Sequence, residues 1–184
     1  MTTPALADVT GTYVLDPAHT RIGFVARHAM ITKVRGSFHE FEGTLQLDGS
    51  DPSRSSASVS IQAESIDTGN ADRDGHLRTN DFLDAPNHPK ITFTSTKAEQ
   101  LDENHFRLTG DLAIKGAARP ISVDFEYTGT ARDPFGNDRV GFEGEVTVSR
   151  KDYGLTWNAA LEGGGVLVGD KVVLQFDVSA IKQA

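Results

Sequence analysis

Apolar residues recur at every second position in seven separate runs of this chain, and that rhythm leaves few folds open to it. In 20–28, Ile22, Phe24, Ala26 and His28 share one face while Arg21, Gly23, Val25 and Arg27 share the other. This is the period of a strand with one buried face. The same alternation returns in 41–47, 57–63, 106–114, 121–127, 140–148 and 172–178, carried by residues such as Phe41, Leu45, Val59, Leu112, Phe125, Phe142 and Phe176. With a leading strand near 13–16 and another over 91–96, the count reaches about eight or nine strands at hairpin-like spacing, which predicts an antiparallel sandwich or barrel.

Turn chemistry falls where that reading needs it. Asp48-Gly49-Ser50, Lys115-Gly116 and Pro134-Phe135-Gly136-Asn137 lie between the periodic runs and supply residues that tolerate turn dihedrals. The alternation fails over 69–89, where Asn70 and Asn80 are two candidate helix starts before Pro86. One or two short helical turns, or an ordinary long loop, fit that stretch.

A chain of 184 residues suits one domain, expected over 10–184 with residues 1–9 loose. No apolar stretch approaches the roughly 18 residues of a membrane-spanning helix. Met1 to Val9 lacks the basic-then-apolar pattern of a secretory leader, so the expected compartment is the cytoplasm. The chain has no cysteine, which excludes disulfides and a thiol nucleophile. A net charge of -8 without any Lys/Arg run argues against nucleic acid.

An eight-stranded barrel either fills itself with side chains or holds one small ligand. Its inward residues here mix Phe24, Phe41, Phe93, Phe125 and Phe142 with Ala26, Gly43, Gly110 and Gly129. The small residues either leave room for a cavity or mark bulges that close the barrel. His28 is a candidate inward polar group, for a ligand head or for a backbone carbonyl. Arg73 and Arg78, in the charged stretch 72–78, either receive an anionic head group or tie their loop to the barrel rim. Asp16-Pro17-Ala18-His19 reads as a tight turn capped by Asp16. No GxSxG elbow, HExxH pair or other metal-ligand spacing occurs, and the glycines at 163–165 lack the GK[ST] ending of a phosphate loop. No catalytic residue and no metal site is expected.

Several stretches, in their order and spacing, resemble the YceI family of lipocalin-like, polyisoprenoid-binding bacterial proteins. They are Leu15-Asp16-Pro17-Ala18-His19-Thr20 with Ile22-Gly23-Phe24 and His28; Val34 to Phe38; Ser65 to Asn70 with Arg73-Asp74 and His76-Leu77-Arg78; Asp81 to Ala85; His88 to Phe93; Gly110-Asp111-Leu112; Ser149 to Leu155; and Val168-Gly169-Asp170. The resemblance runs nearly end to end. It implies an all-β fold, an extended eight-stranded antiparallel barrel with a short helical excursion around 70–86, enclosing a long apolar channel for an isoprenoid chain. It also implies a homodimer and no agreed catalytic activity. The chain departs from the pattern at Leu83, where an aromatic is commoner, and in lacking the leader that many members carry.

The expected channel wall is Ile22, Phe24, Ala26, Phe41, Leu45, Phe82, Phe93, Leu112, Phe125, Phe142 and Trp157, with His28, Arg73 and Arg78 as candidates for a polar head. The expected function is non-catalytic carriage of an isoprenoid or similar long apolar lipid, with no other cofactor. The alternatives are an enzyme on a hydrophobic small molecule, using His28 as acid or base, and a packed interaction domain without a lipid.

Overall fold

The computed structural model describes residues 6–162 and 165–184. The strands in chain order are β1 Gly11–Leu15, β2 Arg21–His28, β3 Thr32–Phe38, β4 Phe41–Leu47, β5 Ser56–Gln62, β6 Ile66–Asp67, β7 Lys90–Gln100, β8 His105–Ile114, β9 Ala117–Arg132, β10 Asp138–Ser149 and β11 Lys171–Lys182. One α-helix, α1 at Ala71–Leu77, lies between β6 and β7.

Eight of these strands neighbour one another in the order β1–β4–β5–β7–β8–β9–β10–β11, and β11 pairs back to β1, so the antiparallel sheet closes into a barrel. Closure leaves this ring without the unpaired edges that invite association. The other three strands extend the ring at one end. β11 pairs through Ala180–Lys182 with β1 and through Val173–Asp177 with β2, so β1 and β2 lie end to end along it. β3 and β4 do the same opposite them, because β2 pairs with β3 while β1 pairs with β4. β5 and β6 repeat the arrangement through their pairings with β4 and β3.

The break between β1 and β2 is chemically closed. Asp16 Oδ1 accepts from the Ala18 amide at 3.1 Å, as the expected turn requires. The Thr20 hydroxyl donates to the Ser179 carbonyl at 2.9 Å and accepts from the Ser179 amide at 3.0 Å, standing in for a ladder partner that the turn removes. His19 closes this turn, its amide donating to the Asp16 carbonyl at 3.1 Å. Its side chain is exposed and reaches only Asp16, at 2.6 Å.

Asn70 starts α1 by accepting from the Arg73 amide at 3.0 Å, the cap geometry expected of it. Asn80 starts no helix; residues 79–87 form turns, with Asp84 held in the left-handed region at φ 50°. Of the N-terminal stretch expected to be loose, residues 1–5 lie outside the described residues. Leu6–Val9 forms a 3-10 turn, and Val9 is buried, with its carbonyl accepting from the Tyr13 hydroxyl at 2.9 Å. Of the glycines at 163–165, Gly163 and Gly164 lie outside the described residues.

Two buried clusters fill the barrel. One gathers Ile22, Ile61, Ile66, Leu83, Ile91, Leu112 and Tyr153 towards the α1 end. The other gathers Val9, Tyr13, Leu15, Leu45, Tyr127, Val140 and Ala180 towards the β9–β10 hairpin.

Candidate functional site

Between and alongside these clusters runs a cavity of about 330 Å³, lined by every strand of the ring. Its wall is almost wholly hydrocarbon, as the alternation demands, because each strand turns its apolar face inward. Nine of the expected wall residues line it: Ile22, Phe24 and Ala26 from β2, Leu45 from β4, Phe93 from β7, Leu112 from β8, Phe125 from β9, Phe142 from β10, and Phe82 from the turns after α1. The aromatic rings of the wall meet in two groups. Phe125 lies 6.5 Å from Phe142 and 6.0 Å from Phe176, and Phe24 lies 5.9 Å from Phe38, distances at which ring pairs attract beyond simple burial.

Two expected wall residues lie elsewhere. Phe41 packs between the two core clusters without facing the cavity. Trp157 sits behind the wall, edge-on to His76 at 4.7 Å and 5.4 Å from Phe82, so it backs a lining residue instead of lining. The three polar-head candidates are likewise outside the cavity. His28 is exposed at the end of β2, beyond the ring, where it bridges to Val168. Arg73 donates to Thr68, and Arg78 to the carbonyls of Glu64 and Ile66, so both tie the helical excursion to the rim.

The inward glycines do not create the cavity. A Cβ at Gly43 would meet the Leu15 side chain at 2.7 Å, and one at Gly110 would meet the Thr94 carbonyl at 2.5 Å and the Phe93 ring at 2.6 Å. Neighbouring side chains already occupy that room. Gly129, at φ +128°, lies beside the extra residue Thr128, where the β9–β10 register shifts. That is a bulge, one of the two readings open from sequence.

Arg150 and Tyr127 are buried polar side chains at the wall that spacing did not single out. Arg150, 5% exposed, lines the cavity at the α1 end. Its Nε donates to the Gly169 carbonyl at 3.0 Å, its Nη1 to the carbonyls of Leu155 at 2.6 Å and Trp157 at 2.9 Å, and its Nη2 to that of Val168 at 3.3 Å. Burial pushes its pKa down, opposed by the charge of Asp170. Among the described residues no carboxylate pairs with it. Tyr127 lines the opposite part of the cavity. Its hydroxyl is buried and has no hydrogen-bond partner among the described residues; burial raises its pKa, and nearby Thr130, outside bonding geometry, draws it back. The one sequence signal for Arg150 was its place in the Ser149 to Leu155 stretch.

The histidines lie off the cavity. His19, His39, His76 and His105 each meet an aspartate within 2.8 Å on the surface, and none of these histidines lines the cavity. Among the described residues no group of three or more His, Asp or Glu could hold a metal ion, and no helix is long and apolar enough to cross a membrane.

Comparison with known proteins places this geometry. A family model described as the YceI-like domain matches residues 13–180. A UPF0312 protein of Staphylococcus epidermidis is 38% identical over 166 residues, covering 90% of this chain and 93% of its own. The crystal structure of a Campylobacter jejuni YceI protein superposes with a TM-score of 0.73 at 28% identity, covering 86% of this chain and 90% of that one. A domain from Saccharophagus degradans, described as polyisoprenoid binding and implicated in plant cell wall breakdown, superposes with a TM-score of 0.69 at 14% identity, covering 93% of this chain and 98% of that one. The last is a likeness of fold.

Proposed function

The chain belongs to the YceI-like family, and from that membership and the apolar cavity we propose that it binds and carries an isoprenoid or similar long apolar lipid inside the barrel. The observation that carries this reading is a cavity of about 330 Å³ whose wall is hydrocarbon along the length of the ring. Such a wall selects for apolar area, at about 0.8 kcal/mol for each methylene taken from water. The description of the Saccharophagus degradans domain supports the same ligand class. The role is carriage without turnover. The histidines that could serve as acid or base lie off the cavity, Arg150, which lines it, is committed to four carbonyls, and burial holds the Tyr127 hydroxyl in its protonated form.

Native mass spectrometry with organic extraction tests this on purified protein. The expected result is a stoichiometric prenyl lipid, with the oligomer mass read in the same spectrum. Protein that carries no lipid and whose melting is insensitive to added prenyl chains overturns it, because a ligand of the native state must raise stability.

A further inference from the structure

Charge is distributed unevenly along this chain. Residues 17–39 contain no Asp or Glu but hold Arg21, Arg27, Lys33 and Arg35, so against a total of -8 the rest of the chain carries -12. This segment is the β2–β3 hairpin at the α1 end of the barrel. On its outer face Arg27 stands directly opposite Lys33, and Val25 opposite Arg35. Like charges facing each other across two strands work against the pairing. Among the described residues none of Arg27, Lys33 and Arg35 is in an ion pair, and all three are exposed. Arg21, likewise outside these ion pairs, has an aspartate, Asp177, as its register partner on β11.

The tip of the same hairpin is apolar. Met30 is 63% and Ile31 79% exposed, and Val166, on the segment bridged to the hairpin, is 40% exposed. The turn places both Ala29 (φ 52°) and Met30 (φ 60°) in the left-handed region, closed by the Ile31 amide donating to the His28 carbonyl at 3.1 Å. Asn and Gly are the usual residues for such a turn. Here a methionine is held out in water by strained backbone, and strain of this kind gathers at working surfaces. The Ala29 amide donates to the Leu167 carbonyl at 2.7 Å and the Gly169 amide to the Arg27 carbonyl at 3.0 Å. The tip is therefore fastened to the segment whose Val168 lines the cavity.

We propose that this hairpin docks the α1 end of the barrel onto a lipid bilayer bearing anionic head groups. Met30 and Ile31 enter the boundary between head groups and acyl chains, while Arg27, Lys33 and Arg35 lie against the anionic heads. The exposed aromatic tip of the β9–β10 hairpin supplies a contrast. Phe135 is 88% exposed on the β9–β10 turn, between Asp133 and Asp138, which pair with Arg139 and Arg132, so this tip lacks the unpaired cations that would draw it to an anionic surface. The purpose of docking, to exchange lipid at the channel's rim, rests on the carrier reading; docking itself does not.

Flotation of the full chain with phosphatidylcholine vesicles, with and without added phosphatidylglycerol, tests it. The expected result is binding to the anionic vesicles that weakens with salt. The triple variant Arg27→Gln/Lys33→Gln/Arg35→Gln is expected to lose about a hundredfold in partitioning, at about fivefold per charge. Met30→Ser/Ile31→Ser is expected to lose at least about tenfold from the apolar contribution, with Phe135→Ser unchanged. Absence of wild-type binding overturns the proposal, as does an equal loss in Phe135→Ser. So does a result in which Met30→Ser/Ile31→Ser splits a dimer, read by light scattering, and leaves vesicle binding intact. Extracted lipid is measured on the same samples: lipid-loaded protein that ignores vesicles sinks docking alone, and vesicle binding by lipid-free protein sinks carriage alone.

Discussion

Arg150→Met removes the donors that gather four backbone carbonyls at the rim of the channel. Arg150 reaches Leu155, Trp157, Val168 and Gly169, and methionine keeps the length and apolar stem while offering no N–H. Val168 keeps a second donor, the Asn158 side-chain amide at 2.8 Å, so three carbonyls are left bare; at about 1 kcal/mol each at the low end they cost about 3. Part of this is offset because no guanidinium need be desolvated, which leaves a net loss of about 2 kcal/mol. At roughly 2–4 °C per kcal/mol for a chain of this size, Tm falls by about 4–8 °C. The assay has a built-in reporter. Trp157 is the only tryptophan, its carbonyl is one of the four, and its ring packs against His76 and Phe82. Its emission moves to the red in dilute buffer before global unfolding, while the far-ultraviolet strand signal is retained. Arg150→Lys, a point cation without the planar fork, recovers only part of the loss. A variant that loses under about 1 kcal/mol in denaturant titration with unmoved emission refutes the reasoning, since the carbonyls would then have other donors.

Acid weakens the opposite end of the barrel. Arg139 Nη1 meets Asp16 at 2.7 Å and its Nε meets Asp133 at 2.8 Å; the Arg139 hydrogen bond chiefly lowers the Asp16 pKa, and the Asn137 amide chiefly lowers that of Asp133. Folded values below the unfolded value of about 3.9 give stability that is present above that pH and lost as pH falls through the folded values. The decline of Tm below about pH 4 is expected to be shallower in Arg139→Gln, and an unchanged acid limb counts against this clamp. Gly110→Ala, pushed against the Thr94 carbonyl and Phe93 ring, loses about 1–3 kcal/mol in denaturant titration. Gly75→Ala, inside α1 with nothing within 4 Å of the new Cβ, gains up to about 1 kcal/mol in the same titration. Leu112→Ala is expected near the low end of the roughly 2–5 kcal/mol range for such truncations, because this leucine faces existing empty space.

The alternation of Ile22, Phe24 and Ala26, or of Phe106, Leu108 and Leu112, located strands because one face of each is buried whatever the topology. β3 did not show itself by that rule. Its inward residues are Val34, Gly36 and Phe38, and Gly36 sits where a Cβ would strike the Phe24 ring at 2.3 Å. The apolar stripe is interrupted where an aromatic from the neighbouring strand needs the space. The polar side of the site was harder to read for a related reason. Charges in sequence are assigned to water by default, so the dense stretch at 72–78 drew attention while Arg150 did not. A buried guanidinium becomes recognisable only with its four carbonyls, which come from a segment 5 to 19 residues further along the chain. Phe41 and Trp157 show the limit of hydrophobicity as a guide, since it identifies residues that pack but not which of them face the void.

The void itself carries an energetic consequence that delipidation can measure. Residual cavities in packed interiors cost about 24 cal/mol per Å³, so a rigid apolar space of about 330 Å³ corresponds to an upper figure of about 8 kcal/mol. That is comparable with the entire stability of an ordinary domain, about 5–15 kcal/mol. An open sheet could relieve such a cost by collapsing, but this one is closed by the β1–β11 pairing, and closure ties the wall to the strand ladder all the way round. Water is a poor filler, because the wall offers few groups to bond it. A long apolar guest fits the problem. Protein stripped of lipid by organic extraction and refolded is expected to melt well below the loaded form, by up to about 15–30 °C at roughly 2–4 °C per kcal/mol. Its Tm should climb again on adding prenyl chains but not short alcohols. Loaded and stripped samples that melt within about 3 °C of each other would mean that the barrel closes on itself when empty, and the wall would then be core.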